Sequence, residues 1–356
     1  MSAVHASTFR VALTADFFGE DGALKFKDMG LSLLDQQAHI EYAPFAEYHA
    51  EIGVDQIQGV HGIIALTPTV TAASVARADD LLAISRFGVG FDMVDVEACT
   101  QADVALLITV GAVDRPVAEA TLGWMIALTH HMRVKDRLLR QGQWNERTAY
   151  MGRELRDRTF GAVGLGGIAR ETIRLLSVFG MQKPLACDPF VDAAVAAKLG
   201  VELVELGELM RRADFVSVHC PLNEATRGLI GAAELAQMRP DAYLLNTARG
   251  GIVDEDALYQ VLAQGRIAGA ALDCFAGEPV TAPHRFGELD NVLLAPHSIA
   301  WTEELFRDIG RTACRFMVDL SLGRRLERGV VNPEVLDSPG FQDKWRRVQL
   351  SVREEL

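Results

Sequence analysis

Three polar side chains in the second half of the chain make a chemically complete set for work on an organic acid. They are Arg249, Glu278 and His297, and each follows a strand-like apolar run. An arginine guanidinium binds a carboxylate through two hydrogen bonds and polarises a neighbouring carbonyl. A histidine exchanges a proton near neutral pH, and a carboxylate beside it orients the ring and stabilises the imidazolium. These residue types predict proton exchange with the substrate oxygen of a hydroxy acid or keto acid.

The elements that must position these side chains are predicted from apolar runs that alternate with helical patterns. Such alternation is typical of α/β architecture with parallel sheets. The predicted strands are Phe9–Thr14, His39–Ala43, Gly62–Leu66, Leu82–Ser85, Ala105–Thr109, Pro184–Cys187, Phe215–His219, Ala242–Asn246, Gly269–Leu272 and Val292–Ala295. In open parallel sheets, ligands bind outside the carboxyl ends of the strands. Asp273 and the three residues above are therefore expected to meet in one crevice.

A glycine-rich turn predicts a nucleotide-binding unit. The pattern Gly164-x-Gly166-x-x-Ala169 follows an apolar run and precedes a predicted helix at Arg170–Phe179. The first glycine permits a tight turn, the second lets a pyrophosphate approach the backbone, and the alanine allows close helix packing. The helix N-terminus offers N–H groups and a positive dipole end to the phosphates. The motif predicts a dinucleotide bound by a Rossmann unit.

Asp188 indicates which dinucleotide is bound. It lies 19 residues after Ala169, where the second strand of the unit is expected to end. A carboxylate there accepts hydrogen bonds from a ribose 2′-hydroxyl and repels a 2′-phosphate. Pro189 and Phe190 follow it, so no arginine stands beside it to bind a phosphate. The sequence predicts NAD rather than NADP as the cofactor.

The late position of the fingerprint indicates two domains. A chain of 356 residues exceeds what one core usually supports, and the fingerprint begins only near residue 160. We expect two Rossmann-like, doubly wound domains: an NAD-binding domain at residues 113–309, inserted into a discontinuous substrate domain at 1–112 and 310–356. A helical pattern at Pro116–Arg140 is expected to cross between the domains, and the helical run after Trp301 is expected to cross back.

Composition limits the class of protein and its partners. A formal net charge of −13 argues against a nucleic-acid or anionic-membrane partner, whereas an anionic substrate needs only a local arginine. Five cysteines form no CxxC pair or metal-ligand pattern, so no metal is expected and a reducing compartment is favoured. The sequence shows no signal-peptide pattern and no apolar run of membrane-spanning length. We therefore expect a cytoplasmic protein.

Several motifs together resemble the D-isomer-specific 2-hydroxyacid dehydrogenase family, which includes phosphoglycerate dehydrogenases, D-lactate dehydrogenases and glyoxylate/hydroxypyruvate reductases. The resemblance extends from about Arg86 to Pro333. The segments that carry it are Arg86–Asp92, Pro116–Glu119, Gly164–Ala169, His219–Thr226, Asn246–Glu255, Leu272–Pro279 and Pro296–Thr302. It implies an NAD-dependent hydride transfer between the nicotinamide and C2 of a D-2-hydroxy acid or 2-keto acid. It also implies a homodimer in which the region around 115–150 embraces the partner.

The same resemblance implies roles for individual residues. His297 is the acid/base, Glu278 pairs with it, and Arg249 anchors the substrate carboxylate and carbonyl. The backbone amides of Val89 and Gly90 bind the carboxylate from the other domain. The implied cofactor-binding residues are Gly167 and Ile168 at the pyrophosphate, Asp188 at the adenosine ribose, Cys220 and Pro221 on the adenine side, Thr247 and Asp273 by the nicotinamide, and Gly164, Gly166, Thr226, Ala248 and His297 around them.

The sequence leaves the substrate, the physiological direction and two alternative functions open. Several positions near the expected entrance to the substrate site depart from the family pattern or receive no role. They are Phe91, Met93, Asp114–Pro116 and Ser298–Trp301. A formate dehydrogenase resembles this family in fold, but such relatives look to have glutamine where this chain has Glu278. A nucleotide-sensing corepressor of the same fold is the other alternative, and turnover of a 2-keto acid with NADH would separate it from an enzyme.

Overall fold

The structure, a computed structural model, describes residues 8–353 and divides the chain into two compact units. The first unit extends to Val113 and resumes at Thr302. The second unit extends from Asp114 to Trp301. Each unit is an α/β layer structure built on its own parallel sheet.

The secondary structure consists of short strands that alternate with helices along most of the chain. The strands are β1 (Phe9–Leu13), β2 (Ile40–Pro44), β3 (Gly62–Ala65), β4 (Ala83–Arg86), β5 (Ala105–Ile108), β6 (Phe160–Val163), β7 (Leu185–Cys187), β8 (Glu202–Leu203), β9 (Phe215–Val218), β10 (Tyr243–Asn246), β11 (Gly269–Leu272) and β12 (Val292–Leu294). The helices are α1 (Ser32–Asp35), α2 (Val96–Gln101), α3 (Asp114–Thr129), α4 (Met132–Arg140), α5 (Gly167–Leu176), α6 (Ala193–Lys198), α7 (Leu206–Arg212), α8 (Ala232–Leu235), α9 (Glu255–Ala263), α10 (Glu303–Ser321) and α11 (Pro339–Arg353).

The two sheets differ in size but share parallel pairing throughout. The first unit has five strands in the order β2-β1-β3-β4-β5, and the second has seven in the order β12-β11-β10-β9-β6-β7-β8. In the second sheet, buried apolar clusters contain residues from both faces of the strands. Strands buried on both faces read as nearly continuous apolar runs. The ten strands predicted from such runs are confirmed, each to within one residue at either end.

The long helix predicted at Pro116–Arg140 is wrong, because the structure has two helices there. Helix α3 ends at Thr129 and α4 begins at Met132. Between them His131 takes a left-handed backbone conformation with φ of 52°, which interrupts the helical hydrogen bonds. The apolar spacing continues across this break, so periodicity alone does not reveal it.

The return to the first unit lies at Thr302 rather than at residue 310. The reason is that the whole of α10 packs within the first unit. Leu305 and Ile309 are buried, and Gly310 lies so close to the backbone of Met29 that no side chain fits between them. None of the helices in residues 8–353 combines the length and apolar character that crossing a membrane requires.

Candidate active site

Five loops of the second unit start from one edge of its sheet. Strand register places Val163 beside Val218, and Val218 beside Asn246. It also places Asn246 beside Leu272, and Leu272 beside Leu294. Because the strands are parallel, the loops that follow these residues lie side by side, where open α/β sheets bind ligands. All the residues predicted from the second unit, apart from Asp188 after β7, lie in or next to these loops.

The fingerprint turn joins β6 to α5. Gly164 has a φ of 95°, and a Cβ at this position would lie 2.8 Å from the backbone nitrogen of Cys220. Only glycine satisfies both the conformation and the close approach. Gly166 immediately precedes α5, and a Cβ there would meet none of the described atoms within 4 Å. The turn therefore leaves open space beside Gly166, while Ala169 is fully buried.

Asp188 lies directly after β7 and contacts the fingerprint turn. Its carboxylate accepts hydrogen bonds from the N–H of Leu165 at 2.8 Å and from the N–H of Phe190 at 2.9 Å. One of these N–H groups belongs to the turn, so Asp188 helps to fix the turn's shape. Each carboxylate oxygen can still accept a further hydrogen bond.

The loop after β9 packs against the fingerprint turn through the backbone of Cys220. Burial raises the pKa of the Cys220 thiol to about 11. The hydroxyl of Thr226 donates to the carbonyl of Pro221 at 2.6 Å and accepts from the N–H of Asn223 at 2.8 Å. Thr226 therefore braces its own loop, a function that sequence reasoning did not predict for it.

The loop after β10 is closed by the side chain of Asn246, which sequence reasoning missed as a site residue. Its amide accepts from the N–H of Ala248 at 3.1 Å and donates to the carbonyl of Arg249 at 2.9 Å. Arg249 Nη1 in turn donates to the carbonyl of Ala248 at 2.8 Å. The hydroxyl oxygen of Thr247 is buried and has no hydrogen-bond partner within the described part of the chain. Buried polar atoms are nearly always satisfied, so this hydroxyl marks a position for a polar ligand group.

Asp273, at the end of β11, supports the loop that carries His297. One carboxylate oxygen accepts from the N–H of Ser298 at 2.9 Å and from the N–H of Ile299 at 3.1 Å. The backbone carbonyl of Asp273 accepts from the N–H of His297 at 2.8 Å. Burial raises the pKa of Asp273, and these hydrogen bonds oppose the increase. His297 has a φ of 51°, an uncommon conformation for a histidine that these contacts hold in place.

The structure brings His297 and Glu278 into direct contact. His297 Nδ1 lies 2.7 Å from one carboxylate oxygen of Glu278, and the other oxygen accepts from the N–H of Phe275 at 2.8 Å. Burial by itself raises the pKa of Glu278. The hydrogen bonds to His297 and Phe275 and the charges of His297 and Arg249 have a larger, opposite effect, so the pKa of Glu278 lies below its usual range. Arg249 thus lies close enough to the pair to act on its charge.

The remaining predicted positions lie elsewhere. Val89 and Gly90 follow β4 in the first unit. Phe91 packs against the core of that unit, which favours a packing role. Arg115 forms ion pairs with Glu119 and Glu171 on the surface of the second unit.

Sequence reasoning missed Cys274, whose sulfur lies within 4.8 Å of donor atoms of both Glu278 and His297. Its position directly after Asp273 was the only available signal.

The residues at this sheet edge fit a dinucleotide. The space beside Gly166 suits a pyrophosphate at the N-terminus of α5, where backbone N–H groups point outward. Asp188 keeps acceptor capacity for ribose hydroxyls, and the buried hydroxyl of Thr247 requires a polar partner. These features are complementary to a ligand with phosphate and hydroxyl groups.

Comparison with known proteins identifies the family. Residues 122–298 match the domain described as D-isomer specific 2-hydroxyacid dehydrogenase, NAD binding domain. The chain is similar to (S)-sulfolactate dehydrogenase from Chromohalobacter salexigens, with 42% identity over 248 residues that cover 69% of this chain and 80% of that protein. It is also similar to D-3-phosphoglycerate dehydrogenase from Methanocaldococcus jannaschii, with 37% identity over 75% of this chain and 50% of that protein.

The chain spans about half the length of several curated relatives that it matches. Among solved structures, the 2-hydroxyacid dehydrogenase from Ketogulonicigenium vulgare Y25 is similar, with a TM-score of 0.76 and 27% identity over 91% of this chain and 99% of that one. The chain therefore belongs to the D-isomer specific 2-hydroxyacid dehydrogenase family, and its second unit contains the family's NAD-binding domain.

Proposed function

We propose that this chain catalyses the NAD-dependent interconversion of a D-2-hydroxy acid and the corresponding 2-keto acid. The observation that carries the proposal is the 2.7 Å contact between His297 Nδ1 and Glu278, at the sheet edge that also bears the fingerprint turn. A bound NAD would supply hydride transfer to and from C2 of the substrate. The protein supplies proton transfer, carboxylate binding and orientation.

His297 is proposed to carry the proton. Because Nδ1 faces Glu278, Nε2 is the ring nitrogen that would exchange a proton with the C2 oxygen. Glu278 accepts the hydrogen bond from Nδ1–H, which fixes the tautomer and the ring orientation. In reduction His297 gives its Nε2 proton to the substrate oxygen, and in oxidation neutral Nε2 accepts the hydroxyl proton. Such a pair weighs against formate oxidation, which requires no acid/base.

Arg249 is proposed to bind the substrate carboxylate and to polarise the C2 carbonyl. Its guanidinium offers a planar fork of donors, and the hydrogen bond from Nη1 to the carbonyl of Ala248 helps to orient it. Its influence on the pKa of Glu278 supports a position near the reacting atoms. The first unit is proposed to be the substrate domain, with the backbone amides of Val89 and Gly90 as its carboxylate donors.

The second unit is proposed to prefer NAD over NADP, because the carboxylate of Asp188 would repel a 2′-phosphate. Gly167 and Ile168, in the first turn of α5, are proposed to donate backbone hydrogen bonds to the pyrophosphate. The buried hydroxyl of Thr247 and the carboxylate of Asp273 are assigned to the nicotinamide side. Cys220 and Pro221 are assigned to the adenine side.

The experiment that tests this function is turnover of a panel of 2-keto acids with NADH, followed by the loss of NADH absorbance. The panel includes the keto acids that correspond to sulfolactate and phosphoglycerate, because relatives are named for those acids. It also includes pyruvate, glyoxylate and hydroxypyruvate. We expect turnover with at least one acid and a D-configured product. Oxidation of formate instead of keto-acid turnover would favour a formate dehydrogenase. NADH binding without any turnover would favour a nucleotide-sensing corepressor.

A homodimer built through the second unit is part of the proposal. Large apolar side chains in and after α4 are exposed, namely those of Met132, Leu139, Trp144 and Met151. Aromatic and methionine side chains are enriched at protein interfaces relative to the rest of the surface. The molecular mass in solution, measured by light scattering, should correspond to two chains.

The five cysteines form no disulfide in the described residues, which supports the proposed cytoplasmic location.

A further inference from the structure

Cys274, Glu278 and His297 form a cluster of metal-ligating side chains. One donor atom from each lies within 4.8 Å of the other two, and residues 8–353 contain no other such cluster of three. Cys274 is only 2% exposed, and its thiol donates to the carbonyl of Ala248 at 3.4 Å. The side chains of Glu278 and His297 are 31% and 44% exposed. The sulfur therefore lies at the back of the cluster, and the other two donors are open to solvent.

The donor set suits zinc better than the hard cations. Thiolate, imidazole and carboxylate are the ligands that Zn²⁺ uses, at bond lengths of about 2.0–2.3 Å. Tetrahedral geometry with those bonds separates donor atoms by about 3.5 Å. The cluster therefore needs a rearrangement of only about an ångström to close on an ion. Three protein ligands would leave a fourth position for water.

The local charge favours a divalent cation. The thiolate of Cys274 and the carboxylate of Glu278 together supply two negative charges when a metal is bound. The buried carboxylate of Asp273 is close enough to interact electrostatically with both Glu278 and His297. Arg249 opposes cation binding, since its positive charge also acts on Glu278. The balance of these groups remains negative.

We propose that Cys274, Glu278 and His297 form an inhibitory binding site for a thiophilic divalent cation, with Zn²⁺ and Cd²⁺ as the preferred ions. Binding forms bonds from the metal to the sulfur, to a ring nitrogen and to a carboxylate oxygen. The thiol proton is released, the Nδ1 proton of His297 is displaced to the other ring nitrogen or to solvent, and no electron is transferred. A metal-bound His297 has lost its hydrogen bond to Glu278 and can no longer exchange a proton with the substrate. The inhibition rests on the proposed function, whereas the binding does not.

The binding is tested on the reduced, metal-free full chain by titration with Cd²⁺. Thiolate coordination produces a charge-transfer absorption in the ultraviolet, and we expect it to saturate at one equivalent. Cys274→Ser and Cys274→Ala should both lose this absorption and bind Zn²⁺ at least tenfold more weakly in competition with a chromophoric chelator. Cys187→Ser, at a half-buried cysteine outside the cluster, is the matched control and should retain both. An unchanged absorption in the Cys274 variants, or none in the wild type, would overturn the proposal.

The inhibition is tested by adding Zn²⁺ during reduction of a 2-keto acid. Wild-type activity should fall over the concentration range in which the metal binds, and a chelator should restore it. Cys274→Ala should require at least tenfold more Zn²⁺ for the same loss. Equal sensitivity of the two proteins, or binding without inhibition, would overturn the inhibitory role. If no acid is turned over, the proposed function fails while the Cd²⁺ titration still decides whether the site exists.

Discussion

The carboxylate of Asp114 lies directly against Gly167, the first residue of α5, so that a Cβ on Gly167 would collide with it. The N-terminus of α5 is the proposed pyrophosphate site. Burial raises the pKa of Asp114, and the charge of Glu171 raises it further. A titratable negative charge therefore stands beside an anion-binding position, where it opposes the phosphates.

Asp114→Asn is expected to tighten NADH binding by about fivefold, since repulsion between a carboxylate and a nearby phosphate in a hydrated site is worth about 1 kcal/mol. Wild-type affinity should also rise as pH falls, because protonation neutralises Asp114 at a pH above the usual carboxyl range. The variant should lack this part of the pH dependence. Calorimetric titration with NADH measures both effects. Asp157→Asn, the same substitution at an exposed acid before β6 in the same unit, is the control, and an Asp114→Asn affinity equal to it would contradict the prediction.

Asp188 is expected to determine cofactor preference and to hold the fingerprint turn. Asp188→Ala should lower kcat/KM for NADH and reduce the preference for NADH over NADPH. The variant loses both the acceptor for the ribose 2′-hydroxyl and the hydrogen bond from the N–H of Leu165. Asp188→Asn keeps an acceptor for the Leu165 N–H and should lose less with NADH. Comparison of kcat/KM for the two cofactors in each variant separates the contributions. A wild-type preference for NADPH would contradict the assignment.

The strands could be predicted from the sequence, whereas the helix break could not. Strands such as β11, in which every residue is buried, leave an apolar run bounded by polar residues. The break between α3 and α4 depends on a single left-handed residue, His131, which does not change the apolar spacing. A local backbone conformation of that kind leaves no periodic signal.

The same distinction applies to the site. The parallel register determines which loops share an edge, so Arg249 and His297 could be predicted from the strand ends that precede them. The contacts that hold these loops depend on the path of the loops themselves. For that reason the brace from Asp273 to the loop of His297, the internal role of Thr226 and the proximity of Cys274 were not predicted.

Two buried histidines are expected to make the protein sensitive to acid. Burial lowers the pKa of His61 and of His219 to about 4, from an ordinary value of 6.5. As pH falls below 6.5 the unfolded chain binds protons that the folded chain does not, so the free energy of unfolding declines until pH about 4. Each histidine contributes up to roughly 3 kcal/mol to this loss. Urea unfolding over this pH range should show a shallower decline in His61→Gln and His219→Gln, and identical slopes in all three proteins would refute the prediction.

Glu278→Gln removes the charge but keeps a hydrogen-bonding side chain. The lowered pKa of Glu278 keeps it ionised at neutral pH, where its charge stabilises protonated His297. Glutamine therefore keeps a hydrogen-bond partner for the ring but no negative charge beside it. We expect kcat/KM to fall by about tenfold in both directions in Glu278→Gln, because a hydrogen bond to a charged group is lost, and by more in Glu278→Ala, which also loses the ring's partner. Kinetics measured in both directions check this, and wild-type values in Glu278→Gln would restrict Glu278 to positioning the ring.

Proton transfer at C2 by His297 is the step on which the proposed function depends. Its most direct test is kcat/KM for NADH-dependent reduction of the best keto acid by the wild type, His297→Ala and His297→Asn, with the Kd for NADH measured alongside. Asparagine tolerates the left-handed backbone at this position, so the second variant separates chemistry from backbone strain. We expect a loss of roughly 10²–10⁴-fold in both variants, with the Kd for NADH nearly unchanged. A kcat/KM close to that of the wild type in either variant would contradict it.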